Sequence, residues 1–199
     1  MIFRDLETGE LPAAAAVLAD GLRDNPLHVR VFGDDADSRE RALAGLFEAA
    51  IARIGSRGSV EGAFDGATLV GICGRVPPGK CRLSLGERFK YLPGMLAGNP
   101  LPVVARLYAW MGAWTDLDPP SPHWHLGPVA VRRARQGQGI GTALVRSFCA
   151  RMDGERADAY LETDREANVK FYGRAGFSVD RQKHVMGVRC WFMTRRPAG

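Results

Sequence analysis

The residues with the clearest chemical meaning lie in a basic, glycine-rich stretch between positions 132 and 141. It contains three arginines and three glycines, namely Arg132, Arg133, Arg135, Gly137, Gly139 and Gly141. Glycines let a ligand approach the backbone closely, and arginines attract phosphate. The stretch therefore predicts a binding site for a phosphorylated ligand.

The elements on either side of this stretch strengthen that prediction. An apolar run containing Leu126, Val129 and Val131 precedes it and predicts a buried strand. After it, apolar residues recur at helical spacing, at Ile140, Leu144, Val145 and Phe148. A strand that leads through glycines into a helix N-terminus presents unpaired N–H groups and the positive end of the helix dipole to an anion.

Spacing narrows the kind of phosphate ligand. A P-loop requires Lys followed by Ser or Thr after its last glycine, whereas Gly141 is followed by Thr142 and Ala143. A dinucleotide fingerprint requires Gly or Ala where Thr142 stands, although Glu162 lies near the distance at which that fingerprint has its acidic residue. On spacing alone, the support for a dinucleotide-binding site is weak, but this alternative stays open.

The pattern Gln136-x-x-Gly139-x-Gly141 resembles the acyl-CoA-binding motif of the GNAT N-acetyltransferase superfamily. A second block, YLETD at 160–164 followed by Asn168, Phe171-Tyr172 and Gly176-Phe177, matches the same superfamily in order and separation. The resemblance implies an α+β fold with a mixed, mainly antiparallel sheet flanked by helices. It also implies that two central strands splay apart to admit the cofactor.

The resemblance further implies a set of residues that bind acetyl-CoA as a co-substrate, without a metal. Backbone amides of the strand would follow the pantetheine arm, the loop amides with Gln136 and the arginines would hold the pyrophosphate, and Asn168 would bind the pantetheine. The set comprises Val129, Ala130, Val131, Gln136, Gly137, Gln138, Gly139, Ile140, Gly141, Thr142 and Asn168.

Acetyl transfer also needs an acid for the departing thiolate and a base for the attacking amine. The resemblance assigns the acid to Tyr172, whose ordinary pKa of about 10 keeps it protonated at neutral pH. The base is open between His125, at the position of the glutamate in histone-acetylating members, and Glu162 on the next strand. His123 and His184 are weaker candidates, and a structural role is an equal alternative for each of the four.

The remaining pattern predicts one domain over residues 1–199. It contains a first strand at Ile2–Leu6, a helix ending at Leu22, a loop over 27–37, and a helix capped by Ser38. A hairpin turns at Asp65-Gly66. Residues 82–117 predict a helical insertion, broken by prolines, whose aromatic residues such as Trp110 and Trp114 form core or line an acceptor pocket.

Bulk composition excludes several classes of protein. The chain is 46% hydrophobic and carries a net charge of +5, with its basic residues scattered outside 132–135 and 195–196, so we expect neither a nucleic-acid nor a membrane partner. The acidic N-terminal residues predict a cytoplasmic protein. We further expect a monomer or a homodimer. The four cysteines form no Cys-x-x-Cys pair, so buried free thiols are expected and metal use is not.

These features predict an enzyme that transfers the acetyl group of acetyl-CoA to a primary amine of a small molecule by direct attack. Two alternatives stay open at this point. One is a protein or peptide N-acetyltransferase, which would need an open groove. The other is a regulatory module that binds acetyl-CoA without turnover, against which the Asn168 and Tyr172 pair argues.

Overall fold

A computed structural model of the 199-residue chain describes residues 1–82, 86 and 99–198. In this part of the chain, seven strands form one sheet in the order β1-β2-β3-β4-β5-β7-β6. The strands are β1 Ile2–Asp5, β2 Ser59–Asp65, β3 Thr68–Val76, β4 Trp124–Val131, β5 Ala159–Thr163, β6 Ser178–Val185 and β7 Val188–Arg195. All neighbouring pairs are antiparallel except β4 and β5, which run parallel.

Six α-helices in the described residues flank the sheet. They are α1 Leu11–Leu22, α2 Pro26–Phe32, α3 Ala36–Arg57, α4 Leu101–Leu117, α5 Ile140–Glu155 and α6 Glu166–Gly173. The fold class predicted from the sequence is therefore confirmed. Of the predicted insertion at 82–117, the helix α4 is observed, whereas residues 83–85 and 87–98 lie outside the described residues.

The core is divided between the two faces of the sheet. On one face, α5 and α6 pack through Leu144, Phe148 and Tyr172. On the other face, α1 and α3 pack against β2 and β3, and α2 and α4 cover β5, β6 and β7 around Tyr160 and Phe192. Among the described helices, none combines the length and apolarity that a bilayer crossing requires.

Pairing between β4 and β5 stops soon after it begins. The two strands pair at Trp124↔Ala159 and His125↔Tyr160, and in their described residues no later pair forms. Pro128 in β4 has no N–H to donate to a neighbouring strand. On its other side β4 continues to pair with β3 as far as Gly71↔Val131. The sheet is thus opened between β4 and β5, as the resemblance implied.

Two local predictions were wrong. Residues 27–37 are not all loop, because Pro26 begins α2; a proline is favoured in the first turn of a helix, where its missing N–H leaves no bond unmade. The second predicted helix, α3, begins at Ala36 rather than after Ser38. Its cap is Asp35, whose carboxylate accepts a hydrogen bond from the Ser38 amide at 2.8 Å.

His28 of α2 is a buried histidine whose surroundings disfavour its charge. It is 4% exposed, its Nδ1 lies 2.6 Å from the carbonyl oxygen of Leu22, and its ring contacts Phe47 and Trp110. Burial lowers the pKa of His28, and Arg39 also lowers it, while the Leu22 carbonyl and Asp164 partly oppose them.

We expect this shift to make folding pH-dependent. Since the folded pKa lies below the unfolded value of about 6.5, the unfolded chain takes up the proton first as pH falls. The free energy of unfolding should then decrease below that pH by up to about 1.4 kcal/mol per pH unit. In urea titrations, His28→Asn should remove this part of the slope, whereas equal slopes for both proteins would contradict it.

Candidate functional site

The predicted anion site is assembled at the junction of β4 and α5. Gly137 and Gly139 adopt positive φ values of 76° and 81°, a left-handed backbone that other residues rarely adopt. Gly139 directly precedes α5, whose first turn contains no acidic residue, so its N–H groups face no competing carboxylate of their own helix. The chain therefore presents an open helix N-terminus to an anion.

A cleft of about 430 Å³ lies along this loop, and we call it the loop cleft. Most of the residues predicted to bind the cofactor line it. They are Val129, Ala130, Val131, Gln136, Gly137, Gly139, Ile140, Gly141, Thr142 and Asn168. Gln138 is the exception: its side chain instead accepts a hydrogen bond from Arg135 at 3.1 Å.

Several basic and polar side chains of the loop form bonds to other residues of the protein. Arg133 pairs with Asp20 at 2.9 Å, and Arg135 pairs with Asp65 at 2.7 Å. The Arg132 Nε donates to the Leu69 carbonyl at 2.9 Å, and the Gln136 amide donates to the Val131 carbonyl at 3.0 Å. These bonds fix the loop between α1 and β3. Their role towards pyrophosphate stays a prediction.

A second cavity of about 270 Å³, the inner cavity, continues from the loop cleft. Five residues line both spaces: Leu22, Asn25, Val129, Asn168 and Tyr172. Beyond them, the inner cavity is walled by aromatic side chains, among them Phe47, Trp110 and Trp114. The gap between β4 and β5 is thus a passage from the glycine loop to a cavity lined by both aromatic and ionisable side chains.

Tyr172 and Asn168 stand at the junction of these two spaces. Tyr172 is 8% exposed, and burial raises the pKa of its phenol above the ordinary value. The Asn168 amide donates to the Thr163 hydroxyl at 3.0 Å, which fixes its orientation beside β5. A phenol held protonated at the junction can donate a proton to a group that arrives through either space.

The two residues predicted as alternative bases contact each other. Nε2 of His125 on β4 lies 2.8 Å from Oε2 of Glu162 on β5, and both side chains line the inner cavity. Burial alone would lower the pKa of His125, but the Glu162 carboxylate and Cys81 together outweigh it and raise that pKa to about 10. The structure therefore brings the pair together as one unit where β4 and β5 separate, with Glu162 two residues beyond the last paired residue of β5.

The weaker candidates lie elsewhere. His123 precedes β4, and its Nε2 lies 3.1 Å from Asp118 and 3.9 Å from the Cys81 sulfur. Hydrogen bonds from His123 and His125 outweigh burial and lower the pKa of the Cys81 thiol to about 7. His184 is exposed on β6 and lines neither the loop cleft nor the inner cavity.

Sequence reasoning missed residues that only the fold brings to the site. Asp164, 7% exposed, accepts hydrogen bonds from the Leu27 amide at 2.7 Å and from the Asn25 amide at 3.2 Å. It thereby fixes the start of α2 against the end of β5. The sequence signal that could have identified Asp164 was its place in the YLETD block. Cys81 is half-buried and faces two histidines, unlike the buried Cys73, Cys149 and Cys190.

Comparisons with known proteins agree with this architecture. The model of the acetyltransferase (GNAT) family matches residues 92–177. Similar solved structures include the histone acetyltransferase HPA2 and related acetyltransferase from Corynebacterium glutamicum, at 21% identity and a TM-score of 0.73, covering 99% of this chain and 96% of that one. The PaiA N-acetyltransferase from Thermoplasma acidophilum, solved with coenzyme A, has 13% identity, a TM-score of 0.59 and 98% coverage of both chains.

A third similar structure is the ribosomal-protein-S18-alanine N-acetyltransferase from Escherichia coli, at 14% identity and a TM-score of 0.57, covering 100% of this chain and 94% of that one. The chain has the GNAT acetyltransferase fold. The residues matched by the family model, 92–177, include the glycine loop, Asn168 and Tyr172.

The glycine loop provides a direct test of the loop cleft. Alanine at position 139 would be strained by about 1–2 kcal/mol at positive φ. Relief of that strain turns the loop amides away from the cleft, so Gly139→Ala should raise the Kd for coenzyme A about 5- to 30-fold in calorimetric titrations.

Gly154→Ala is the matched control. Gly154 lies in α5, the helix that Gly139 precedes, and has ordinary backbone angles. A Cβ added at Gly154 would meet no neighbouring atom, so the Kd should not change. Equal affinities for Gly139→Ala and the native protein would show that the loop does not bind the coenzyme.

Proposed function

We propose that this protein is an acetyl-CoA-dependent N-acetyltransferase that acts on a primary amine of a small molecule. The observation that carries this is the passage between β4 and β5, which joins the loop cleft to the inner cavity at Tyr172 and Asn168. A thioester delivered from one side meets an amine held on the other. The similar structure solved with coenzyme A supports the choice of co-substrate.

The chemistry is the direct attack of the amine on the thioester carbonyl. A bond forms between the amine nitrogen and the carbonyl carbon, and the bond between that carbon and the sulfur of coenzyme A breaks. The sulfur leaves as a thiolate and takes the phenol proton of Tyr172, while the Glu162 carboxylate, which contacts His125, takes the proton that the amine loses. Both groups line the inner cavity, so neither proton transfer requires bulk water.

A small acceptor is supported by the walls of the inner cavity. Its volume of about 270 Å³ lies near the lower end of the range for small-molecule sites, about 300–1,000 Å³. Trp110 and Trp114 of α4 wall the cavity, which indicates that the described part of the insertion shapes the acceptor site. Within the superfamily, the LGPVAV, QGQGIG and YLETD blocks most resemble puromycin N-acetyltransferase and its bacterial relatives, so aminonucleosides belong among the first acceptors to test.

The proposed function is tested by following thiol release from acetyl-CoA with a panel of amines. The panel contains aminonucleosides, aminoglycosides, polyamines, amino acids and short peptides. We expect turnover with one small-amine class. Turnover with peptides alone would favour the protein or peptide alternative. Tight binding of acetyl-CoA without turnover on any amine would favour the regulatory module.

The acid role of Tyr172 makes a kinetic prediction. Tyr172→Phe removes the phenol proton and leaves the ring, so kcat should fall about 10-fold or more while the Kd for acetyl-CoA changes little. Tyr108→Phe is the control, because Tyr108 lies on α4 but lines neither space. Unchanged kcat in Tyr172→Phe would remove the acid assignment.

The base role of the Glu162–His125 pair makes a second kinetic prediction. Glu162→Gln keeps the size of the side chain and removes its basic oxygen, so kcat should fall about 100-fold at saturating amine. Glu166→Gln on the exposed start of α6 should have native kinetics. If both variants keep native kcat, water rather than Glu162 takes the amine proton.

A further inference from the structure

Beside the inner cavity lies a cluster of three side chains, two of which, Cys81 and Asp118, have no part in the proposed acetyl transfer. Cys81 follows β3, Asp118 follows α4, and His125 belongs to β4, so three separate segments meet here. One donor atom from each of the three lies within 4.8 Å of the other two. The Cys81 sulfur lies 3.7 Å from Oδ2 of Asp118.

Two neighbouring groups hold members of this cluster in place. Glu162 holds the His125 ring through the 2.8 Å contact to Nε2, and a carboxylate that holds one ring nitrogen leaves the other for a metal. His123 holds Asp118 through the 3.1 Å contact to Oδ1, and its other ring nitrogen lies 2.8 Å from the Ser121 carbonyl. Metal-binding histidines and carboxylates are typically oriented in this way.

We propose that Cys81, Asp118 and His125 form a site for a borderline-soft divalent cation, with Zn²⁺ as the best fit. Thiolate, imidazole and carboxylate are the three side-chain ligands that Zn²⁺ uses. Bond lengths of about 2.0–2.3 Å in a tetrahedron place neighbouring ligand atoms about 3.3–3.8 Å apart. The separation of Cys81 and Asp118 already has this size, and the 4.8 Å limit for the triplet requires only small side-chain movements.

The cluster is accessible from solvent. Cys81 and Asp118 line an outer cavity of about 380 Å³, bounded by prolines of the 119–122 loop. Cys81 and His125 also line the inner cavity, so the site stands between the two spaces. A cation from solvent therefore reaches its ligands without unfolding of the chain.

Among the described residues, arginines in contact with the site oppose a cation: Arg53 donates to the Cys81 carbonyl at 3.3 Å, and Arg82 binds Asp118. The Nε of Arg82 lies 2.5 Å from Oδ2 of Asp118, but the Arg82 side chain is 49% exposed. A carboxylate has about four lone-pair positions, and Arg82 and His123 occupy one on each oxygen. The Arg82 guanidinium thus weakens the site by its charge without filling it.

Occupation of the site would affect acetyl transfer, a consequence that rests on the proposed function. A metal bound to His125 would occupy one member of the Glu162–His125 pair, and it would lie at the edge of the inner cavity. Zn²⁺ should therefore inhibit turnover, and the inhibition should disappear in Cys81→Ser.

The experiment titrates Co²⁺ into untagged, reduced protein and follows the thiolate-to-cobalt absorption, with Zn²⁺ as the competitor. We expect one equivalent of Co²⁺ to bind with a thiolate band, which Zn²⁺ displaces. Cys81→Ser should abolish the band and Asp118→Asn should weaken binding at least 10-fold. Cys149→Ser, which removes a buried thiol of the core, should bind as the native protein does.

Arg82→Gln gives an independent test, because removal of the competing positive charge should tighten Zn²⁺ binding. Thermal melting checks that each variant is folded. Absence of a thiolate band in the native protein, or a band that survives in Cys81→Ser, would overturn the proposal. So would an affinity that does not change in Arg82→Gln. The binding readout needs no turnover, so its failure is separate from failure of the proposed function.

Discussion

The early end of pairing between β4 and β5 is the constraint on which the rest of the site depends. Parallel strands that stay paired would close the sheet, and the loop cleft and the inner cavity would then be separated. Pairing instead stops at His125 and Tyr160. The Glu162–His125 contact lies close to the last paired residues. Beyond them, residues 126–129 of β4 line the inner cavity together with Tyr172. One change in backbone pairing thus places the Glu162–His125 pair and Tyr172 along the same cavity.

Close backbone packing keeps β4 in this position. A Cβ on Gly74 of β3 would lie 2.5 Å from the Gly127 carbonyl oxygen, so β3 can follow the irregular part of β4 only as glycine. A Cβ on Gly21 of α1 would lie 2.6 Å from the Val131 carbonyl oxygen. Both distances are too short for a side chain, so β4 is held between a strand and a helix that approach its backbone directly. The strand that leaves β5 is therefore rigid.

Local chemistry made part of this structure predictable. The helix α5 and its glycine loop follow from side-chain spacing within about one helix length, and Ile140, Leu144, Val145 and Phe148 are indeed buried. The hairpin at Asp65-Gly66 is likewise local. The wrong start of α3 is a competition between two good caps, Asp35 and Ser38, that differ by one helical turn. The resemblance supplied the splay, for which Pro128 is the local signal.

Other parts of the site depend on long-range contacts that periodicity does not contain. Cys81 and His125 belong to different segments, and their encounter requires β3 and β4 to pair in register at Val76↔His125. Asp164 looked like one acidic residue among several until the fold placed it against the start of α2. The contact between Glu162 and His125 turned two alternatives into one unit because they lie on neighbouring strands, with Glu162 two residues beyond Tyr160, the partner of His125.

The opened seam also links cofactor binding to folding. On either side of it lie two halves of the sheet, β1 to β4 and β5 to β7, and β4 and β5 share just two residue pairs. A ligand that bridges both halves binds the native state and not the unfolded chain, so it adds RT ln(1 + [L]/Kd) to the stability of the whole domain. Pantetheine bound in the gap would take the place of the missing strand pairing, so the free energy of unfolding would rise with the concentration of the coenzyme.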